Sequence, residues 1–238
     1  MRRQPLVAIK ALRALIANPE DTERVFVILR ALSGNSIADG AARFCATETG
    51  ARVLREQRSL LATLCDRDAL RPLPAGSLGR EYVEFVERAG ITADGLVAAS
   101  EGDNAEYAEL SPNEAFYARR LRDMHDLWHV LGGFSTRPFG EVCVVAFTYA
   151  QTRNLGLAAI AAIGALKIAR ETGDSGVLSA GWQAYRIGRR AAWLPAQDWE
   201  ALLAEPLEAV RRKLKIAPPT RYQHVAARLN AAPIQQPA

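Results

Sequence analysis

EVCVVAFTYAQTRNLGLAAIAAIGALKIAR, residues 141–170, decides the fold. Its apolar residues do not alternate as a half-buried strand requires, and the run is far longer than a strand. Alanine, leucine and isoleucine crowd it, so the stretch predicts one long buried helix from near Glu141 to about Arg170. A membrane span needs ~20 mostly apolar residues. Arg153 and Lys167 interrupt the stretch, and the uncharged run between them is too short, so a central core helix is expected instead. Ala158, Ala159, Ala161, Ala162 and Gly164 either let neighbours approach closely or leave room for a ligand.

Outward from this segment the helical period continues. Leu6, Ile9, Leu12, Leu15 and Ile16 stripe a first helix that Asn18-Pro19 stops. Asp21 or Thr22 caps a second, with Val25, Ile28, Leu29 and Leu32 on its apolar face and Ser33-Gly34 at its end. Helices follow over 36–45 and 49–64. RPLPAGSLG, residues 71–79, is a loop, and Tyr82, Phe85 and Val86 mark the helix after it, which ends at Gly90. Pro112, behind the cap Ser111, opens a helix that runs to Leu131 and halts at Gly132-Gly133. Downstream, GWQAYRIGRRA is helical, Asp198 caps a short helix, and another covers 206–214. No strand or internal repeat stands out. The expectation is an all-α single domain over 1–238 with a long central buried helix and a frayed tail at 225–238.

Composition agrees. Hydrophobic residues make up 49% and charged residues 24%, which excludes a wholly disordered chain. The net charge of +4 comes from lysines and arginines spread along helix faces, so no nucleic acid is expected as a partner. Cys45, Cys65 and Cys143 share no short spacing, which argues against a disulfide framework and fits a reducing compartment. MRRQPLVAIK lacks the long apolar core of a secretory signal, and a bacterial cytoplasmic location is the simplest expectation.

The chemistry gathers just before the long apolar run, in HDLWHVLGGFSTRPFGE, residues 125–141. Residues four apart on a helix share a face, so His125 and His129 can aim at one point. Imidazole suits zinc, iron and copper. The double glycine ends the helix one turn later, a short loop reverses the chain, and Glu141 falls in the first turn of the returning helix. There the helix dipole favours its ionised form. Asp126 is about 100° around from His125 and could ligate, accept a hydrogen bond from a ring, or act as a general base. Asp123 is expected to pair with Arg119 or Arg122. The alternative reading is a pair of half-buried histidines partnered by carboxylates, without a metal. A zinc peptidase of the H-E-x-x-H kind is excluded because aspartate follows the first histidine, and an HD-type phosphohydrolase because no histidine lies upstream.

H-D-x-x-H, eleven residues and then E resembles the hallmark of the Coq4 family of ubiquinone biosynthesis proteins. LPAGSLGREYVEF (73–85), RDMHDLWHVLGGF (122–134) and PLEAVRRKLKIAPP (206–219) resemble further segments of that family, so the likeness runs from about residue 5 to 222. The resemblance implies a helical fold and His125, Asp126, His129 and Glu141 as metal ligands, with Asp126 and Glu141 catalytic. It also implies a polyprenylated hydroxybenzoate precursor of ubiquinone as substrate, with its C1 carboxyl removed and that position hydroxylated. Zinc is the family's usual metal. Zinc has no redox chemistry, whereas replacing carboxyl by hydroxyl is an oxidation, so iron(II) is expected if the reaction is oxidative. The resemblance further implies other ubiquinone biosynthesis proteins and a membrane surface as partners, with the chain peripheral to the inner membrane; a homo-oligomer is compatible with it. A non-catalytic, prenyl-lipid-binding scaffold for the biosynthetic complex is the alternative. Arg119 and Arg122 are candidates for the substrate carboxylate, and Ala159 and Ala162 for lining a tunnel around the prenyl tail.

Overall fold

The computed structural model of the protein describes residues 6–7, 10–11, 14, 27–28, 31–92 and 109–231. These residues are helical or in turns and loops, and the one bridge among them, Ser77 to Pro206, is isolated. The all-α expectation therefore holds. Most of the first two predicted helices, including Leu12, Leu15, Ile16 and both candidate caps, lies outside the described residues. The chain's contacts cluster into two compact units: residues 35–131 with 191–216, and residues 1–34 with 132–190 and 217–238.

The first of these units contains α1 (Ser36–Cys45), α2 (Glu48–Arg55), α3 (Leu60–Cys65), α4 (Arg67–Leu70), α5 (Leu78–Arg88), α6 (Pro112–Asp123), α7 (His125–Gly132), α11 (Trp199–Leu202) and α12 (Leu207–Lys213). The expected helix over 49–64 is two helices, α2 and α3. Gln57 takes a left-handed φ of 49°, which no α-helix accommodates, and the Ser59 hydroxyl then caps α3 by accepting from the Ala62 amide. α6 has a complete capping box between Ser111 and Glu114, with Pro112 in its first turn. At Met124 the helical backbone continues (φ −74°, ψ −14°), and the Trp128 amide still reaches the Met124 carbonyl at 3.0 Å. α7 is thus a near-continuation of α6.

A buried ion pair and a partly exposed ion cluster hold this unit's surface to its core. Arg120, 2% exposed, forks onto both carboxylate oxygens of Glu200 at 2.8 Å. Arg58 and Arg52 both meet Asp198, the residue that also caps α11. Burial would raise the carboxyl pKa of Glu200, but the hydrogen bonds and charge of Arg120 hold it below the ordinary range. The segment 73–79 is stapled to 203–207. The Leu78 amide donates to Glu205, Gly79 to Leu203 and Leu207 to Gly76, at 2.9, 2.8 and 2.8 Å. A Cβ on Gly79 would lie 2.6 Å from Leu73 Cδ1 and 3.0 Å from the Leu203 carbonyl oxygen, so glycine is needed for this close approach.

The second unit contains α8 (Pro138–Thr152), α9 (Leu155–Thr172), α10 (Gly176–Arg190) and α13 (Thr220–Ala231), with the described helical positions between 6 and 33. The predicted single helix over 141–170 is α8 plus α9. Arg153 adopts the left-handed conformation (φ 59°), and the Asn154 side chain caps α9 by accepting from the Gly156 amide at 2.9 Å. Its amide group also donates to the Ser33 hydroxyl. α8 and α10 pack backbone to backbone at Gly188, where a Cβ would meet the Phe147 carbonyl oxygen at 2.7 Å, and Gln151 donates to the Gly188 carbonyl at 2.6 Å. α13 runs to Ala231, so residues 225–231 are helical where fraying was expected; 232–238 lie outside the described residues. No helix among the described residues is long and apolar enough to cross a membrane.

Candidate metal centre

His125 and His129 sit one turn apart on α7, as the spacing predicts. Their rings are nearly perpendicular, with centroids 4.8 Å apart, and their Nε2 atoms are 3.2 Å apart. His129 is 1% exposed and His125 is half-buried. Phe85, from α5, stacks on the His129 ring at 5.5 Å, which fixes its plane.

The far end of α7 is held by Arg211 of α12. Its Nε donates to the Leu131 carbonyl at 2.9 Å and its Nη2 to the Val130 carbonyl at 2.8 Å. Glu208 pairs with the remaining nitrogen. The last carbonyls of a helix have no amide partner within it, and a cation there also opposes the helix dipole. Asp123, at the end of α6, takes both hydrogen bonds from Arg122 that a single oxygen receives, at 3.0 and 2.7 Å, and burial still pushes its carboxyl pKa up. The expected Asp123 partner is thus Arg122. Arg119 is half-buried.

Glu141 lies in the first turn of α8, as expected, behind Pro138 at the helix start. Gly140 explains how it gets there. A Cβ at Gly140 would fall 1.9 Å from the Ser135 carbonyl oxygen, so only glycine lets the turn close this tightly. Tyr222 of α13 fixes the same turn. Its hydroxyl accepts from the Ser135 amide at 3.0 Å and donates to the Ser135 hydroxyl at 2.9 Å, and its ring packs on Phe134 and Phe139.

Of the candidate ligands, His125 and His129 lie in one unit and Glu141 in the other, and the two histidines each offer one ring nitrogen. Two nitrogens on a tetrahedral zinc, each about 2.05 Å from it, would be separated by about 3.3 Å. The 3.2 Å between the imidazoles fits that chord. Asp126 is not part of this group. Next to it, the Tyr82 phenol is fully buried with no hydrogen-bond partner among the described residues; burial raises its pKa and the charge of Asp126 adds to the rise. Cys143, two residues past Glu141, is buried with its thiol pushed up to about 12 and offers no thiolate.

The two alanines predicted to line a tunnel part company. Ala162 lines a groove of about 430 Å³ formed by α8, α9 and α10. Ala159 packs against Ala11 and Ile28 instead. The sequence reading marks Phe85 only as a helix-face position and does not single out Gly140, Arg211 or Tyr222, although Phe85 and Arg211 sit in the segments that carry the family resemblance.

Known proteins agree with the resemblance. The profile of the family described as "Coenzyme Q (ubiquinone) biosynthesis protein Coq4" matches residues 1–220. The chain belongs to the Coq4 family. The mitochondrial ubiquinone biosynthesis protein COQ4 homolog of Danio rerio is 28% identical over 217 residues, covering 91% of this chain and 78% of that protein. The Mus musculus homolog is 33% identical over 176 residues, covering 73% of this chain and 62% of that protein. A crystal structure of a protein assigned to ubiquinone biosynthesis in Nostoc punctiforme superposes with a TM-score of 0.59 at 22% identity. It covers 90% of this chain and 99% of the other, and shows a shared fold.

Proposed function

We propose that this Coq4 protein removes the C1 carboxyl group of a polyprenylated hydroxybenzoate precursor of ubiquinone, with hydroxylation at the same carbon. The proposal puts a divalent cation on His125, His129 and Glu141. The observation that carries it is the 3.2 Å approach of two imidazole Nε2 atoms on one short helix. Such a cation would supply a Lewis acid for the substrate carboxylate and, if it is iron(II), redox chemistry with dioxygen. Replacing carboxyl by hydroxyl withdraws two electrons from the substrate; with dioxygen and water the balance is carbon dioxide, the hydroxylated ring and hydrogen peroxide, so the oxidative version requires that oxidant, and zinc alone confines the site to simple loss of carbon dioxide.

The chain's own residues have distinct parts in this reading. Phe85 and Arg211 hold the histidine helix, so the donors are arranged before anything binds. Asp126 is assigned proton transfer through its carboxylate oxygen. Nε and Nη2 of Arg122 donate to Asp123, and the mechanism draws on neither it nor Arg119. The groove beside Ala162 is assigned to the prenyl tail, whose burial stabilises the complex by ~25 cal/mol per Å² of apolar area. Other ubiquinone biosynthesis proteins are its partners in the pathway.

The test is reconstitution of the purified chain with iron(II), cobalt(II) and zinc separately, with and without dioxygen, and mass spectrometry of the product from a prenylated hydroxybenzoate. Turnover to the hydroxylated product with iron and dioxygen alone is expected. Equal turnover with zinc and no oxidant would defeat the oxidative version. No turnover with any metal, while prenyl lipid still binds, would favour the scaffold.

A further inference from the structure

α5 carries a side chain that neither packing nor the proposed chemistry accounts for. Tyr82 is fully buried, yet its hydroxyl has no hydrogen-bond partner among the described residues. A buried phenol usually finds a partner, so an orphan of this kind calls for a reason beyond packing. Its place in the fold supplies one. Phe85 of α5 stacks on His129 of α7, with centroids 5.5 Å apart. One turn back on α5 stands Tyr82, and one turn back on α7 stands Asp126. All four residues belong to the same compact unit, within residues 35–131.

The surroundings of the phenol narrow what it can meet. Burial holds it protonated, so it has a proton to donate. Of the charges around it, that of Asp126 acts most strongly, ahead of Arg67, Cys65 and Asp123. A guanidinium has no acceptor, and a cysteine sulfur is a weak one. Asp123 is committed elsewhere. One of its oxygens receives two donors of Arg122, at 3.0 and 2.7 Å, and the Leu61 amide donates to the same carboxylate. That leaves Asp126, on the helix that holds the imidazole pair.

We propose that Tyr82 is a positioning residue for Asp126. With substrate in the site, the Tyr82 hydroxyl donates to one oxygen of the Asp126 carboxylate and leaves the other to carry the proton. Hydrogen bonds at reactive groups often tighten only in the complex with substrate. The hydroxyl then gains a charged acceptor at the step that needs the carboxylate held still, and an interaction made at that stage favours the reaction rather than the resting fold. The inference rests on the proton-transfer role given to Asp126 above.

The experiment uses the full chain, labelled at the tyrosine Cζ with an NMR-active carbon isotope. Of the six tyrosine signals, the one missing from Tyr82→Phe belongs to Tyr82. The probes are zinc and para-hydroxybenzoate added together, with calorimetry to record that zinc binds. The Tyr82 signal should move downfield, as a phenol's does when it donates to a carboxylate, and should stay in place in Asp126→Ala. In turnover of a prenylated hydroxybenzoate, Tyr82→Phe should lower kcat about 10–100-fold at unchanged KM, the loss seen when the partner of a group at a metal site is removed. A purely structural role would lower Tm instead, and Tm of this variant should not fall. A signal that stays in place in the wild type with zinc bound overturns the proposal, as does equal movement in Asp126→Ala or an unchanged kcat for Tyr82→Phe. Movement that depends on Asp126 in a protein without turnover supports the contact and overturns the reaction. Failure of the wild type to bind zinc overturns the metal reading and this proposal with it, and the calorimetry tells that result from the others. Circular dichroism checks that each variant is folded.

Discussion

Gly140→Ala is the substitution that most directly tests how the fold places Glu141. The new Cβ would stand 1.9 Å from the Ser135 carbonyl oxygen, 2.7 Å from its carbon and 2.8 Å from the Ser135 nitrogen. An ordinary carbon–oxygen contact is about 3.3 Å, so the two backbones must part by roughly 1.4 Å. The obstacle is main chain on both sides, and no rotamer change relieves it. Ser135 is also pinned by two hydrogen bonds to the Tyr222 hydroxyl, so the first turn of α8 is the side expected to yield, and Glu141 is the next residue. Ligand constellations tolerate about 0.5 Å of displacement. Overpacking of this kind costs about 1–3 kcal/mol. At about 2–4 °C per kcal/mol for a chain of this size, Tm should fall by roughly 2–12 °C. Metal affinity should fall about 10–100-fold, the range seen when the support of a ligand is lost. Titration calorimetry with zinc and cobalt, beside thermal circular dichroism, measures both. Gly181→Ala is the control: a Cβ there meets nothing within 4 Å, so helix propensity should leave it neutral or up to about 1 kcal/mol more stable. A Gly140→Ala protein with lowered Tm and unchanged metal affinity would refute the link between this close approach and the ligand set.

Four further outcomes are expected. Glu200→Gln leaves Arg120 buried without its counter-charge and should cost about 3–5 kcal/mol in urea denaturation, whereas Arg120→Met with Glu200→Leu should cost less than the single change; a loss under about 1 kcal/mol for Glu200→Gln would show that the pair is not closed in solution. Glu200 and Asp198, each paired with arginine, set an acid limit: their folded-state pKa values lie below their ordinary ones, so their contribution is complete above the unfolded-state values near 4–4.5 and is lost as pH falls through the folded ones, and Glu200→Gln should flatten that part of the stability profile. Tyr82→Phe removes a buried hydroxyl with no partner among the described residues and should be neutral or stabilising by about 1 kcal/mol; a loss above about 2 kcal/mol would reveal a hydrogen bond to it. Ala162→Leu should weaken binding of a prenyl lipid by filling the groove while leaving metal affinity alone, and Ala159→Leu should lower stability by crowding Ala11 and Ile28 without touching the groove; lipid binding unchanged in Ala162→Leu moves the tail elsewhere.

The parts of this molecule that were legible in its sequence are those fixed by neighbours along the chain. Four-residue spacing puts His125 and His129 on one face, and Asp198, Ser111 and Pro112 announce helix starts that occur where expected. The misread boundaries are also local, but their cause is a single dihedral. Arg153 and Gln57 are neither glycine nor asparagine, yet both take left-handed φ and end a helix within a periodic run. The signal available was the capping residue that follows each of them, Asn154 and Ser59. What could not be read is pairing at a distance. Arg120 and Glu200 are eighty positions apart, and nothing in an arginine-rich helix says which guanidinium turns inward. The split between Ala159 and Ala162 has the same origin, since periodicity gives the angle between two residues of a helix but not which neighbour each side meets.

The three segments that carry the Coq4 resemblance have a common physical reason for being where they are. The glycine- and serine-bearing stretch at 76–79 is hydrogen-bonded to 203–207, which sets the start of α5 and thereby where Phe85 falls. Phe85 meets the His129 ring, and Arg211, four residues beyond the same stapled stretch, closes the last carbonyls of the histidine helix. α7 is only eight residues long, too short to be stable by propensity alone. Its geometry must therefore come from what grips it: the continuing backbone of α6 at one end, an arginine fork at the other and an aromatic ring against the inner histidine. A pair of imidazole nitrogens 3.2 Å apart is a demanding arrangement for a helix this short. The sequence outside HDLWHVLGGF supplies the means to maintain it.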